Sequence, residues 1–234
     1  MQAFQKTKNQ KVTKLITFAF WWICRMINFS PMKIPSKYID EAVDQLSSLP
    51  GIGKKTALRL VLQMLNRSES EIERFSQSFI EMKQKVKKCS SCGNISDAEL
   101  CTICENPARD PSQICVVEDI RDVMALESTN YFKGIYHVLG GIISPMDGIG
   151  PADLNISTLL QKLETGEVKE IIFALSANME GDTTNFYLYK KMAPYDVAIT
   201  CLSRGVAIGT ELQYADELTL GRSLINRQPF KLNE

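Results

Sequence analysis

Four cysteines, Cys89, Cys92, Cys101 and Cys104, are spaced C-x2-C-x8-C-x2-C. This spacing constrains the chain more than any other feature, because it brings four thiolates around one tetrahedral metal ion. Each C-x2-C pair forms a tight knuckle, and Gly93 follows the first pair, where a left-handed residue is often required. Two knuckles complete a closed S4 site with no ligand position left for water. The expectation is one structural Zn2+ per chain, ordering about two dozen residues (87–109) that are too polar to bury a core of their own. The competing reading is a pair of disulfides in a secreted domain.

The other cysteines bear on that choice. Cys24, Cys115 and Cys201 fall outside the spacing, and an odd number of leftover thiols suits a reducing compartment, so a cytoplasmic protein is expected. With 44% apolar and 23% charged residues in 234, the composition is that of a folded soluble protein rather than a disordered one. The single histidine, His137, excludes a multi-histidine metal centre. It also leaves a Ser-His-Asp triad only one candidate base, inside the apolar run Ile135 to Leu139 that reads as a strand. We expect His137 to be core or strand-end filler.

A net charge of zero conceals an uneven distribution. Residues 1–25 carry Lys6, Lys8, Lys11, Lys14 and Arg25 with no acid. Residues 26–111 hold 12 basic and 11 acidic side chains, and residues 112–234 hold 10 and 16. A polyanion would therefore be met by local contacts in the first half rather than by a global basic field. The apolar run Leu15 to Cys24 is about half the length a membrane-spanning helix needs, and no small-x-small cleavage site follows it. Residues 1–31 are read as an extension with translation beginning at Met26 or Met32; a peripheral membrane anchor is the alternative.

From 32 to 86 the periodicity is helical. Ile39, Ala42, Val43, Leu46 and Leu49 recur at helix spacing, Pro50-Gly51-Ile52-Gly53 interrupts them, and Ala57, Leu58, Leu60, Val61, Met64 and Leu65 resume it. Gly51 and Gly53 allow a tight turn that presents backbone N–H groups at a helix N-terminus, where a phosphate oxygen can be held without reading a base. Lys54, Lys55 and Arg59 add charge beside it. LPGIGKKTALRL resembles the helix-hairpin-helix motif of DNA-binding proteins; the alternative is a structural helical turn that happens to use glycine. A third helix is expected over roughly Ser70 to Val86, with Lys83, Lys85, Lys87 and Lys88 either on a solvated face or near DNA.

After Pro111 strands and helices alternate, which implies a mostly parallel sheet covered on both faces. Strands are expected at Ile114–Val117, Tyr136–Leu139, Ile171–Leu175 and Val197–Thr200, with helices over Ile120 to about Glu127, Leu154–Leu163 and Thr183–Lys191. Sites in such sheets gather at the carboxyl ends of strands. Glu118 follows the first strand, and Glu180 and Asp182 follow the third. One glutamate and an acidic-x-acidic pair in these positions resemble the Toprim fold, in which clustered carboxylates can hold Mg2+. The pair here is Glu180-Gly181-Asp182 rather than D-x-D, and no nucleophile or substrate-positioning module accompanies it.

The order of parts is more specific than any one of them. A helix-hairpin-helix, a C4 zinc ribbon and a Toprim domain (112–207), together with HVLGGIISPMDGIGPADL, MEGDTTNFYL and ELQYADELTLGRSL, resemble the bacterial RecR family of recombination mediators from Pro35 to Arg227. The fold class expected is α+β multidomain, with a C-terminal assembly segment (208–234). The resemblance implies a non-enzymatic, sequence-independent DNA clamp that self-associates into dimers or ring-like tetramers. It implies work with RecO and RecF to load RecA on gapped DNA in recombinational repair. Gly51, Gly53, Lys54, Lys55 and Arg59 would face DNA. Glu118, Glu180 and Asp182 would form a partner-binding surface with at most weak Mg2+. Leu212 to Leu220 resembles a Walker B segment, and Asp216 and Glu217 within it are assigned to assembly; no G-x4-G-K-[ST] is present to support ATP hydrolysis. The alternatives are a Mg2+-dependent Toprim nuclease and a zinc-ribbon interaction protein that does not bind DNA.

Overall fold

The computed structural model describes residues 36–229, so the readings made for residues 1–31, including the run Leu15 to Cys24 and the starts at Met26 and Met32, lie outside the described residues. The chain divides into two compact units, one ending at Ser78 and the other beginning at Phe79. No described helix is long and apolar enough to cross a membrane.

The first unit is built on helices α1 (Lys37–Ser47) and α2 (Lys54–Met64). Their facing stripes bury Val43, Ala57 and Val61, with Ile39, Ala42, Leu46, Ile52 and Leu58 packed around them. The apolar positions at spacings of three and four are the ones that meet, as helix periodicity requires. A third helix, α3 (Glu69–Lys85), matches the expected span to within one residue and buries none of its residues among those described. Its start is fixed by Glu71, whose carboxylate accepts from both the backbone N–H and the hydroxyl of Ser68 at 2.9 Å.

After the second half of α3, which lies beyond the division at Ser78, the second unit continues with a two-stranded antiparallel ribbon, β1 (Lys87–Lys88) and β2 (Ile95–Ser96), and a single helical turn, α4 (Thr102–Glu105). A four-stranded sheet follows, from β3 (Asp110–Val117), β4 (Gly134–Val138), β5 (Glu170–Ala174) and β6 (Ala198–Cys201). Its order is β4-β3-β5-β6 and every pairing is parallel. Helices α5 (Ile120–Ser128), α6 (Ile156–Glu164) and α7 (Met179–Met192) connect the strands. Alternation along β3 divides the core between the two faces. Ile114 and Val116 pack with Leu159, Leu163, Leu188 and Met192 of α6 and α7, whereas Cys115 and Val117 pack with Val123 of α5, Tyr136 and Ile103.

Three expectations need correction. Strand β3 begins at Asp110, not Ile114, because Asp110 pairs with Gly134 and Gln113 with Glu170. Asp110 and Gln113 are polar and at least partly exposed, and they carry no apolar signal. Helix α7 begins at Met179, not Thr183: the Asn178 side chain caps it by accepting the Gly181 N–H at 2.7 Å. Glu180 and Asp182 therefore occupy a helix's first turn rather than a loop. The segment likened to Walker B is a 3-10 turn (Leu212–Tyr214) with exposed Leu212 and Tyr214, followed by helix α8 (Glu217–Ile225). Asp216 is the N-cap of α8, accepting the Thr219 N–H at 2.8 Å.

Candidate metal centre and nucleic-acid interface

The four cysteines converge. Their sulfur atoms all lie within 4.8 Å of one another, and among the described residues this is the one group of three or more His, Cys, Asp or Glu side chains placed to hold a metal. Cys92 Sγ and Cys101 Sγ are 3.6 Å apart. That is far too long for a disulfide, at about 2.05 Å, and close to the edge of an S4 tetrahedron built on Zn–S bonds of about 2.3 Å, about 3.8 Å. Backbone N–H groups already point at the sulfurs: Cys101 N–H donates to Cys89 Sγ at 3.3 Å and Cys104 N–H to Cys101 Sγ at 3.5 Å. Such donors stabilise thiolate charge. A hydrogen bond from the Cys92 thiol holds Cys104 down to about 5, while that bond raises Cys92 and burial raises Cys101. These residues fit a structural zinc ion.

The knuckles are tied to the sheet. Gly93 has φ +76°, and a Cβ there would lie 2.9 Å from both Val138 O and Asn155 Nδ2, so only glycine fits the turn and the contact together. Cys92 O accepts the Val138 N–H at 2.8 Å, and Ile103 packs against the cysteines on one side and the sheet core on the other. Behind this contact His137 is fully buried in β4, as core filler. Its Nε2 lies 2.6 Å from Asn155 O, which can only accept, so the proton sits on Nε2; Nδ1 has no partner. Burial pushes His137 down to about 4 and keeps it neutral.

At the hairpin, Gly51 has φ +81° and Gly53 stands at the start of α2 with no side-chain cap, which leaves the first N–H groups of that helix open to solvent. Gly51, Gly53, Lys54, Lys55 and Arg59 are all exposed, while Ala57 and Val61 occupy the buried side of the same helix. Lys55 and Arg59, four residues apart, share one face. Lys54 differs: its ammonium pairs with Asp44 of α1 at 2.9 Å.

Glu118 and Asp182 have different partners. Glu118 accepts from Ser176 Oγ at 2.7 Å. Asp182 is held by Arg204 at 2.6 Å and Arg222 at 3.6 Å, and the Arg204 hydrogen bond keeps its carboxyl below the usual range. Glu180 shares α7's first turn and, among the described residues, joins no group of three or more His, Cys, Asp or Glu side chains placed to hold a metal. Gly181 between the two acids is required by packing, because a Cβ there would lie 1.9 Å from Ser176 O.

Comparison with known proteins agrees with this layout. Family models for the RecR helix-hairpin-helix, the RecR four-cysteine zinc finger domain, the Toprim domain and the RecR C-terminal region match residues 39–83, 86–106, 112–203 and 205–228. "Recombination protein RecR" of Parabacteroides distasonis is 57% identical over 200 residues, 86% of this chain and 96% of the relative. The proteins of the same name from Flavobacterium johnsoniae and Bacteroides thetaiotaomicron are each 55% identical, over 86% and 84% of this chain and 97% and 96% of their own. The chain belongs to the RecR family. Its relatives' name places the family in recombination. Against the RecR models, both arginines on Asp182 lie past the Toprim match, Arg222 within the C-terminal one. Sequence reading missed Arg204, Arg222 and Ser176 because nothing in their spacing announces a carboxylate partner far along the chain.

Proposed function

We propose that this chain is a DNA-binding recombination mediator, acting in the cytoplasm with RecO and RecF to bring RecA onto gapped DNA. One observation carries this reading: an uncapped helix N-terminus at Gly53, flanked by exposed Lys55 and Arg59 on the side of α2 opposite its buried stripe. Open N–H groups and the helix dipole favour a phosphate there, and the two cations lie beside it. None of these groups selects a base, so binding is independent of sequence. Lys54 joins them on exchanging Asp44 for a phosphate.

Zinc, one per chain, orders residues 87–109 and braces the sheet rather than performing chemistry. Glu118 and Glu180 offer an acidic surface to partner proteins, while Asp182, gripped by two arginines, is poorly disposed to bind Mg2+. This favours the mediator over a Toprim nuclease. Self-association into dimers or rings draws support from exposed apolar side chains, Ile80 and Met82 on α3 and Leu218, Leu224 and Ile225 on α8. Asp216 and Glu217, at the start of α8, serve that assembly by fixing the helix.

Binding isotherms test the reading directly. Lys54→Ala, Lys55→Ala and Arg59→Ala should weaken every DNA ligand alike, and each should flatten the salt dependence by roughly one unit of slope. Weakening confined to one base sequence would reject the phosphate-binding hairpin.

A further inference from the structure

We infer that a cleft at the carboxyl end of β6 binds single-stranded DNA, with phosphates on arginines and bases against aromatic rings. The proposal deepens the DNA-binding reading above and uses none of the hairpin's residues. The cleft measures about 1010 Å³ and lies among α7, β6 with the residues that follow it, and the C-terminal end of α8. Arg204, Arg222 and Arg227 line it together with one acid, Asp182. That balance runs against its surroundings, because residues 112–234 hold 10 basic and 16 acidic side chains. Asp182 takes up Arg204 and Arg222. Arg227, among the described residues, is engaged only by the Leu224 carbonyl, at 3.0 Å. The cleft therefore keeps a surplus of positive charge, carried on planar guanidinium forks that suit phosphate oxygens.

Helix α7 supplies the rings. Phe186 and Tyr189, three residues apart and so on one helix face, both line the cleft and stand 60% and 56% exposed. The helix meets the sheet core through Leu188 and Met192 instead. Lys190 Nζ lies 4.4 Å from the centroid of the Phe186 ring and adds a further cation to this wall. Aromatic rings beside a cationic track hold a single strand whatever its sequence, since every base has a flat face to stack. A duplex keeps its bases stacked on one another and offers the rings nothing. An acidic peptide would satisfy the arginines and leave the ring faces uncovered, whereas a strand uses both. The hairpin's phosphate contacts do not distinguish the two kinds of DNA; the cleft does.

The test measures binding of the full-length protein to fluorescent oligothymidylate and to a duplex of equal length. Tyr189→Ala combined with Arg227→Ala changes two exposed side chains and should keep the parent's Tm. This pair should weaken oligothymidylate binding about tenfold or more and leave duplex binding within about twofold. Tyr189→Phe, which keeps the ring, should bind as the parent does. Lys55→Ala combined with Arg59→Ala should instead weaken both ligands. In the parent, a strand carrying iodouracil should crosslink on irradiation to the peptide that contains Phe186 and Tyr189. Unchanged oligothymidylate affinity in the cleft pair, equal loss on duplex, or crosslinks confined to the hairpin would each overturn the proposal. So would three results that name another occupant. Tyr189-dependent binding of polyglutamate in place of oligothymidylate would make it an acidic peptide. Displacement of the strand by an equal concentration of thymidine monophosphate would make it a free nucleotide. A changed size in solution with strand binding intact would make it a second copy of the chain. Parent-like binding by the hairpin pair, beside loss in the cleft pair, would reject the hairpin reading and keep this one.

Discussion

The backbone N–H of Val138 donates to the carbonyl oxygen of Cys92 across 2.8 Å, joining the edge strand of the sheet to the first cysteine knuckle. Among the described residues, strand β4 has a sheet neighbour, β3, on one side only. The knuckle thus occupies part of an edge that would otherwise be open to another chain. The cysteine group supports the sheet as well as itself.

Cys92→Ser should therefore loosen more than the ribbon. Hydrogen exchange of the peptide covering β4 should speed up together with the peptides covering residues 87–105, because the Val138 amide loses its acceptor. A disordered ribbon beside a fully protected β4 would separate the two and contradict the coupling.

Two glycines with similar backbone angles should respond differently to alanine. At Gly93 the positive φ and the close approach of Val138 O and Asn155 Nδ2 act together, so Gly93→Ala should cost about 2 kcal/mol or more in urea unfolding. At Gly51 nothing lies within 4 Å of the added Cβ, leaving only the backbone cost of about 1 kcal/mol. Equal costs would mean that the knuckle does not pack against the sheet as described.

The buried His137 gives stability a pH dependence. Its folded-state value of about 4 lies below the ordinary 6.5, so the unfolded chain binds the extra proton first as pH falls. Its contribution, about 3 kcal/mol, is complete above pH 6.5 and is lost progressively toward pH 4. His137→Gln, which can still donate to Asn155 O, should flatten this part of the stability profile in denaturant titrations. A mutant profile as steep as the parent's would assign the acid sensitivity elsewhere.

Asp182 fastens residues beyond the sheet to it through Arg204 and Arg222. Asp182→Asn should speed limited proteolysis within 205–228 and alter partner binding. No Mg2+-dependent nicking should be present in the parent to lose. Nicking by highly purified parent protein, abolished by Asp182→Asn, would reassign the chain to the nucleases.

Much of this was legible in the sequence because it rests on local rules. The helix periods around Val43 and Ala57, the fully apolar end of β3 and the cysteine spacing each depend on residues close in the chain, and each is realised. Polar structure was less legible. The capping of α7 by Asn178 moved the helix start by a turn and drew Glu180 and Asp182 into it. The N-cap role of Asp216 made a helix start of the segment that resembled Walker B. The partners of Asp182 follow from tertiary packing between distant segments, which leaves no periodic signature.

The central claim is mediation, and RecA loading tests it most directly. Gapped DNA coated with single-strand-binding protein is mixed with RecA, RecO and RecF, and filament formation is timed with and without this protein. Addition of the protein should accelerate loading, and Lys55→Ala combined with Arg59→Ala should remove most of that gain while leaving zinc content and the fold intact. Loading at the same rate with the protein, without it, and with the double variant would contradict the claim.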